Sequence, residues 1–455
     1  MTEGLDVVVL AAGQGTRMRS SRPKVLHEIA GRSLLERVVD VGEELGADRL
    51  HVVYGHGGDA VREATHRGDI RWVHQPEQLG TGHAVAQVLP GLGDGIVLIL
   101  YGDVPLLSAE TCRRLLTHAS GGTVALLTAC LDDASGYGRI LRDEQGLVTS
   151  IIEDKDATEA QRAIREINTG ILAADASSLK RWVGGLGTNN AQGEYYLTDI
   201  IGLAVAEGKA ISTVHPNELS EVLGVNDRAQ LAYLERCFQR RQVQALMARG
   251  VTVRDPDRLD VRGEITAEPD VTIDVNVVLE GTVHLAEGVE IGPNNIVRDS
   301  SVGKNTQLLA NCVIEEASIG PDCRVGPFAR LRPGAELGAS VHIGNYVEVK
   351  KSSIGDGSKV NHLTYVGDSE VGRAVNIGAG TITCNYDGAN KHRTVIEDEA
   401  FIGSGVELVA PVRVGRGATI GAGSTIGKDA PAQELTFERA RQKTISGWKR
   451  PVKRR

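Results

Sequence analysis

The 455-residue chain is poor in several things that would announce a function at once. Its six cysteines (112, 130, 237, 312, 323 and 384) are scattered and show no CxxC spacing. That argues against a disulfide framework or a zinc site and fits a reducing cytoplasm. No apolar run approaches the roughly 20 residues of a membrane span, and the opening "MTEGLDVVVLAAG" reads as a buried strand rather than a signal peptide. Positive charge is not in excess: 50 Lys plus Arg face 59 Asp plus Glu, a formal net charge of -9, which disfavours nucleic acid or an anionic membrane as the main partner. The one basic run, "KRPVKRR", reads as a solvated terminus. Aromatic residues make up only 4 % while glycine reaches 55 residues, so much of the core must be built from small aliphatic side chains.

What is present divides the chain in three. Residues 1–228 alternate short aliphatic runs ("DVVVLAAG", "RLHVVYGH", "GIVLILYGD", "TVALLTACL") with helical patterns, the mark of an α/β domain around a largely parallel sheet. Residues 229–250 hold strong helix formers with apolar residues at helical spacing and predict one linking helix. From 251 to 455 the period becomes six: Ile273, Leu279, Leu285, Ile291 and Val297, then, after a five-residue step, Val302, Leu308 and Ile314, and onward to Val366, Val371 and Ile377. Six is not a helical period; it predicts a parallel β-helix in which three hexapeptides close a triangular coil. The expectation is eight or nine coils in a prism of about 40 Å, with the glycine that often follows each aliphatic residue easing the corner. The beat is lost at "GAGTITCNYDGANKHRTV" (378–395) and resumes at Ile396. An insertion cannot stack, so it must leave the prism as a loop.

The first strand runs into "LAAGQGTRMRSSRPKVL" (10–26). Gly13 and Gly15 would let backbone N–H groups approach a phosphate at a turn expected to open a helix, with Arg17 and Lys24 adding two cations. The third glycine of a dinucleotide fingerprint is absent, since Met18 stands there, and there is no GxxxxGK motif. Asp103 follows the strand "GIVLIL" at the carboxyl edge of the sheet, where α/β folds keep their ligands, and a hard oxygen there suits Mg²⁺.

This region resembles the sugar nucleotidyltransferases, whose L-x-x-G-x-G-T-R-[ML] signature and following P-K are met by Leu10, Gly13, Gly15, Thr16, Arg17, Met18, Pro23 and Lys24. "QPEQLGTGHA", "YGDVPLL", "GYGRI", "IIEDKDA", "EINTGI" and "GVNDRAQL" fit in order. The repeats resemble the left-handed β-helix of the hexapeptide acyltransferases, which usually assemble as trimers. Together the two halves resemble a bacterial family of bifunctional uridylyltransferase–acetyltransferases. The resemblance implies acetylation of glucosamine-1-phosphate with acetyl-CoA, then joining of the N-acetylglucosamine-1-phosphate to UTP with release of pyrophosphate, in a cytoplasmic homotrimer that binds neither membrane nor nucleic acid. It implies a nucleotide site of Leu10, Ala11, Ala12, Gly13, Gln75, Gly80 and Thr81, with Arg17 and Lys24 on the phosphates and Mg²⁺ on Asp103 and Asn226. The sugar would lie against Tyr101, Gly102, Gly138, Glu153 and Asn168. On the β-helix it implies His362 as base, oriented by Glu348, with Arg332, Lys350, Tyr365 and Asn376 on the sugar phosphate. Ala379, Asn385, Tyr386, Ser404, Ala422 and Arg439 would line the acetyl-CoA site.

Independently of resemblance, the imidazole of His362 is of a type that suits removal of a proton from an attacking amine. Arg332 and Lys350, 18 residues apart, fall on the same side of adjacent coils and suit a dianionic phosphate. Two other readings stay open: a nucleotidyltransferase whose β-helix only oligomerises or senses effectors, and a scaffold that has lost the chemistry.

Overall fold

The structure is a computed structural model that describes residues 4–453 other than 14, 56, 66, 68, 120, 121 and 452. It divides into two compact units, Met1–Phe238 and Gln239–Arg455.

The first unit is built on a nine-stranded sheet whose main path runs Ile211–Val214, Val124–Cys130, Glu166–Asp175, Ile96–Tyr101, Leu5–Leu10, Arg49–Tyr54, Ile70–His74. Leu5–Leu10 is flanked by two parallel neighbours, Arg49–Tyr54 and Ile96–Tyr101. Glu166–Asp175 enters antiparallel between Ile96–Tyr101 and Val124–Cys130, so the sheet is mixed. The continuous aliphatic runs follow from burial on both faces: Val7 and Val9 join one core cluster, Val8 and Leu10 the other. The glycine-rich turn does not open an α-helix. It passes through two single turns of 3-10 helix, Thr16–Met18 and Lys24–Leu26, and the first α-helix begins only at Leu34, behind a capping box of Ser33 and Glu36. Gly15 has φ +62°, and a Cβ there would lie 2.6 Å from Cβ of Lys24, so the glycine lets the lysine stem cross the turn.

The second unit is the parallel β-helix. One face carries eleven strands, from Thr252–Val253 to Leu435–Thr436. The prism is therefore longer than the hexapeptide beat suggested, because its first and last coils lack a clean aliphatic repeat. Residues of adjacent coils mostly pair at 17 or 18 positions' separation, as in Leu331 with Val349 and Val349 with Val366, and at 25 across the excursion, as in Ser369 with Thr394. Each five-residue step in the sequence is a coil one residue short. The ladder positions Val302 through Val366 are all buried, each contributing about 1.5–3 kcal/mol relative to exposure. A second inward stripe, two residues earlier, holds small side chains, among them Thr306, Cys312, Cys323, Ser358 and Thr364. Two of the scattered cysteines are thus packing residues, and burial pushes the Cys312 thiol up to about 11.

Glycines after the inward aliphatic residues do not make the corners. A Cβ on Gly344 would lie 2.0 Å from the Asn361 carbonyl oxygen, so these glycines allow close stacking of coils. The left-handed corner falls two residues later, as at Tyr346 (φ 56°) after Gly344. The beat is also kept longer than expected: Thr383 occupies the inward position after Ile377 and pairs with Leu408, and the excursion begins only at Asn385. The prism is closed at its start by the part of the helix Arg228–Ala248 that belongs to this unit, from Gln239 on, whose Val243 and Leu246 join the β-helix core. Its buried Gln239 amide pairs with both the N–H (2.7 Å) and the C=O (3.0 Å) of Val261, saturating part of the open first coil.

Candidate active sites

At the carboxyl end of the central strands the first unit has a cavity of about 310 Å³, lined by Leu10, Ala11, Ala12, Gly13, Lys24, Gln75, Gly80, Thr81, Tyr101 and Asp103. The sheet places them: Ala11 N–H donates to Val53 O (2.8 Å), and Gly102 N–H donates to Leu10 O (2.9 Å). Gln75 is buried, and its amide reaches Gly80 O (3.2 Å) and His83 Nδ1 (3.1 Å), which fixes its orientation. Gly80 has φ +108°, and a Cβ there would meet Tyr195 O at 2.6 Å. Gln78, Ala84 and Glu194 also line the cavity and were not foreseen; their types carry no signal without the fold.

Lys24 makes an ion pair with Asp103 in which both side chains are mostly buried, and its ammonium also reaches Asn226 Oδ1 at 3.3 Å. Arg17 donates to the same Oδ1 at 3.1 Å. Asn226 is brought in by the neighbouring Val225, whose N–H donates to Asp103 O (2.8 Å). Two hard oxygens, one anionic and one neutral, therefore face one cationic point; this donor set fits Mg²⁺, which takes few protein ligands.

The expected sugar residues form an adjoining cluster. Asn168 N–H donates to Gly138 O (2.8 Å), and a Cβ on Gly138 would stand 3.5 Å from Glu153 Oε2. Glu153 accepts a bond from the Thr198 hydroxyl (2.9 Å). Burial, with Asp199, Asp156 and Asp154 adding like charge, raises its carboxyl above the usual range. The Tyr101 phenol is pushed up by burial and by Glu153 and Asp103, and it bonds Thr81.

On the β-helix, successive backbone bonds stack Asn345, His362, Ala379, Ser404 and Ala422 in one column: Leu363 N–H to Asn345 O, Gly380 to His362, Gly405 to Ala379, Gly423 to Ser404 (2.7–3.1 Å). The corner beside this column changes character at His362. It is Phe328, Tyr346 and Leu363 on the earlier coils, all exposed, and Gly380, Gly405 and Gly423 on the later ones. Large side chains thus give way to a bare shelf. Arg439 lies over its end, 3.8 and 3.9 Å from Cβ positions on Gly421 and Gly423. His362 is exposed, and its Nδ1 meets Asn345 Oδ1 at 2.9 Å.

Across that corner, Arg332, Glu348, Lys350 and Tyr365 share a wall. Glu348 pairs with Arg332 (2.7 Å) rather than with His362 of its own chain, where Asn345 holds the imidazole instead. At the far corner, Asn385 donates to Asp368 (2.5 Å) and lies 3.5 Å from the Tyr365 hydroxyl. Asn376 sits on the His362 wall, pairing with Lys359 and Phe401. Lys391, unforeseen because it belongs to the broken part of the repeat, reaches back to Lys350 and lowers its pKa.

Fold and sites define the class: a transferase with a nucleotidyltransferase domain followed by a hexapeptide-repeat β-helix. Residues 7–166 match the MobA-like NTP transferase domain, and residues 316–351 and 393–428 match the bacterial transferase hexapeptide family. The chain is 58 % identical over 452 residues to the "Bifunctional protein GlmU" of Azoarcus sp., covering 99 % of this chain and 100 % of that protein. It is 57 % identical over 452 residues to the GlmU of Aromatoleum aromaticum (99 % of each chain) and 58 % over 450 residues to that of Methylococcus capsulatus (98 % of each). The chain belongs to the GlmU family of bifunctional proteins, and it is an enzyme with uridylyltransferase and acetyltransferase domains.

Proposed function

We propose that the β-helix acetylates glucosamine-1-phosphate from acetyl-CoA and that the first domain then couples the product to UTP, giving UDP-N-acetylglucosamine and pyrophosphate. The observation that carries the acetyl-transfer half is the column in which His362 stands directly before a glycine shelf. An extended pantetheine arm can lie along a shelf without side chains and bring its thioester to the imidazole. His362, held by Asn345, takes a proton from the sugar amine as nitrogen attacks the thioester carbon; the C–S bond breaks and the thiolate leaves. Arg332, Lys350 and Lys391 converge on the place where the phosphate would sit. Asn376 and Tyr365 would line the sugar, and Asn385, Tyr386 and Arg439 the coenzyme.

In the first domain, Gln75 and the Gly80–Thr81 backbone hold the base, and Arg17 and Lys24 offset the phosphate charge as one phosphate oxygen attacks another phosphorus. Asp103 and Asn226 would hold Mg²⁺, which when bound supplies further charge neutralisation. Glu153, steadied by Thr198, takes a hydrogen bond from a sugar hydroxyl. Three chains pack β-helix to β-helix; the exposed Phe328 and Tyr346, stacked at 5.3 Å, and Leu363 support this reading. Six free cysteines fit a cytoplasmic setting. The test supplies purified protein with glucosamine-1-phosphate, acetyl-CoA, UTP and Mg²⁺ and follows thiol and pyrophosphate separately. Release of pyrophosphate from N-acetylglucosamine-1-phosphate without any thiol release from glucosamine-1-phosphate would leave only the nucleotidyltransferase.

A further inference from the structure

We propose that Asp387 and His392 are positioning residues that clamp the excursion at 385–393 shut and so aim Lys391 at the sugar phosphate. The proposal rests on reading this wall as the phosphate site. The excursion is a miniature hairpin. One carboxylate oxygen of Asp387 accepts N–H bonds from Ala389 (2.8 Å) and Asn390 (2.6 Å), while the other holds His392 Nε2 at 2.6 Å. Tyr386 and Lys391 form an antiparallel bridge, and the Tyr386 hydroxyl donates to Gly388 O at 2.6 Å. The feet are tied by His392 N–H to Asn385 O (2.8 Å) and by the Asn385 amide to Asp368. The hairpin stands on the wall of Lys350, since Asp368, which holds Asn385, donates its N–H to Lys350 O (3.1 Å), and Lys391 is bridged to Tyr386 beside it. The product of this wiring is like charge brought together, Lys391 and Arg332 both acting on Lys350. A free lysine would swing into water and regain rotamer entropy. Holding two ammonium groups together is useful only if an anion enters between them.

The experiment uses the full chain and reads KM for glucosamine-1-phosphate, KM for acetyl-CoA, and uridylyl transfer as an internal check on folding. Asp387→Ala and His392→Ala should each raise KM for glucosamine-1-phosphate by about tenfold, with a smaller rise in KM for acetyl-CoA because Asn385 and Tyr386 belong to the same hairpin and with the uridylyl reaction unchanged, and His392→Gln should recover part of the loss. Lys391→Met should give the same rise, and combining it with Asp387→Ala should add nothing further, because the clamp acts through the lysine. A normal KM in Asp387→Ala beside a raised one in Lys391→Met, or additive effects in the double variant, overturns the clamp. A normal KM in Lys391→Met overturns the phosphate reading beneath it.

A separate observation carries a second inference. We infer that Lys24 is a built-in stand-in for the divalent cation, so that metal and nucleotide enter together. Its ammonium contacts both oxygens that would hold Mg²⁺, with Lys24 and Asp103 only 13 % and 18 % exposed, and its stem is pressed over Gly15. A metal ion entering alone must expel a paired ammonium; a nucleotide offers that ammonium a new partner in its phosphates. Binding of Mn²⁺ is read from the free-ion EPR signal, without turnover. Lys24→Met, free of nucleotide, should bind Mn²⁺ about tenfold or more tighter than the native chain, and adding Asp103→Asn should remove the gain. Equal affinity in Lys24→Met and the native chain overturns the stand-in. Mn²⁺ binding in the presence of UTP that ignores Asp103→Asn overturns the metal site itself.

Discussion

The two domains solve the problem of placing chemistry on a folded chain in opposite ways. In the first, the strands are buried on both faces, and the groups lining the cavity collect where strands end: Gly13 past Leu5–Leu10, Asp103 past Ile96–Tyr101. These groups come from segments far apart in sequence, such as Lys24, Asp103 and Asn226. In the second, the interior is filled by an inward aliphatic ladder and a second stripe of mostly small residues, and among the described residues no charged side chain is buried in the prism. Chemistry goes to the outer walls and corners, and residues 17, 18 or 25 apart become neighbours. A sheet edge gathers a pocket from distant pieces; a coil displays a stripe from regular ones.

The sharpest way to break this comparison is to disable each site alone. Asp103→Ala should lower uridylyl transfer by about a thousandfold or more while thiol release persists, and His362→Ala should lower acetyl transfer by about 10²–10⁴-fold while pyrophosphate release persists. Loss of both activities from either change, in protein that remains folded, would refute the partition. Next in size, Ile343→Ala opens a cavity in the ladder and should cost about 2–5 kcal/mol in denaturant unfolding of the β-helix.

Smaller, but specific to stacking, is a glycine pair. Gly344→Ala drives a Cβ onto the Asn361 carbonyl and should cost about 1–3 kcal/mol. Gly427→Ala, with open space around it and no left-handed φ, should be neutral within about 0.5 kcal/mol. The mildest effect concerns Glu153, whose folded pKa is raised. Its favourable contribution is present below the ordinary carboxylate range and is lost as pH rises through the folded value. Glu153→Gln keeps the acceptor for Thr198 and cannot ionise. It should therefore raise the melting temperature at pH 7 relative to the native chain, by an amount that shrinks as pH falls below about 4, while weakening sugar binding. A shift of equal size at both pH values would assign the effect to packing.

Much of this was legible because its cause is local or periodic. A six-residue beat cannot be satisfied by a helix, and the ladder from Val302 to Val366 is buried as the period requires. The position of Asp103 at the cavity was legible because it follows directly on a fully aliphatic strand. Other features were misread for a physical reason. The glycines after the aliphatic residues looked like corner residues because flexibility is the familiar use of glycine, whereas here it is the absent Cβ that matters. Thr383 hid the continuing beat because a buried threonine in this fold bonds a neighbouring coil through its hydroxyl, as Thr383 does with Gly367 N–H at 2.8 Å.

By itself the amino-acid sequence determined the two architectures, the glycine-rich turn with its two cations, and the presence of an excursion between Ile377 and Ile396, since each is set by side-chain periodicity or by residue type at short range. Only the tertiary structure decided which groups meet: Lys24 with Asp103 and Asn226, Glu348 with Arg332, Asn345 with His362, Lys391 with Lys350. Those pairings depend on which strand lies beside which and on coils of 17 or 18 residues, and a change of one residue in register would turn each side chain to another face.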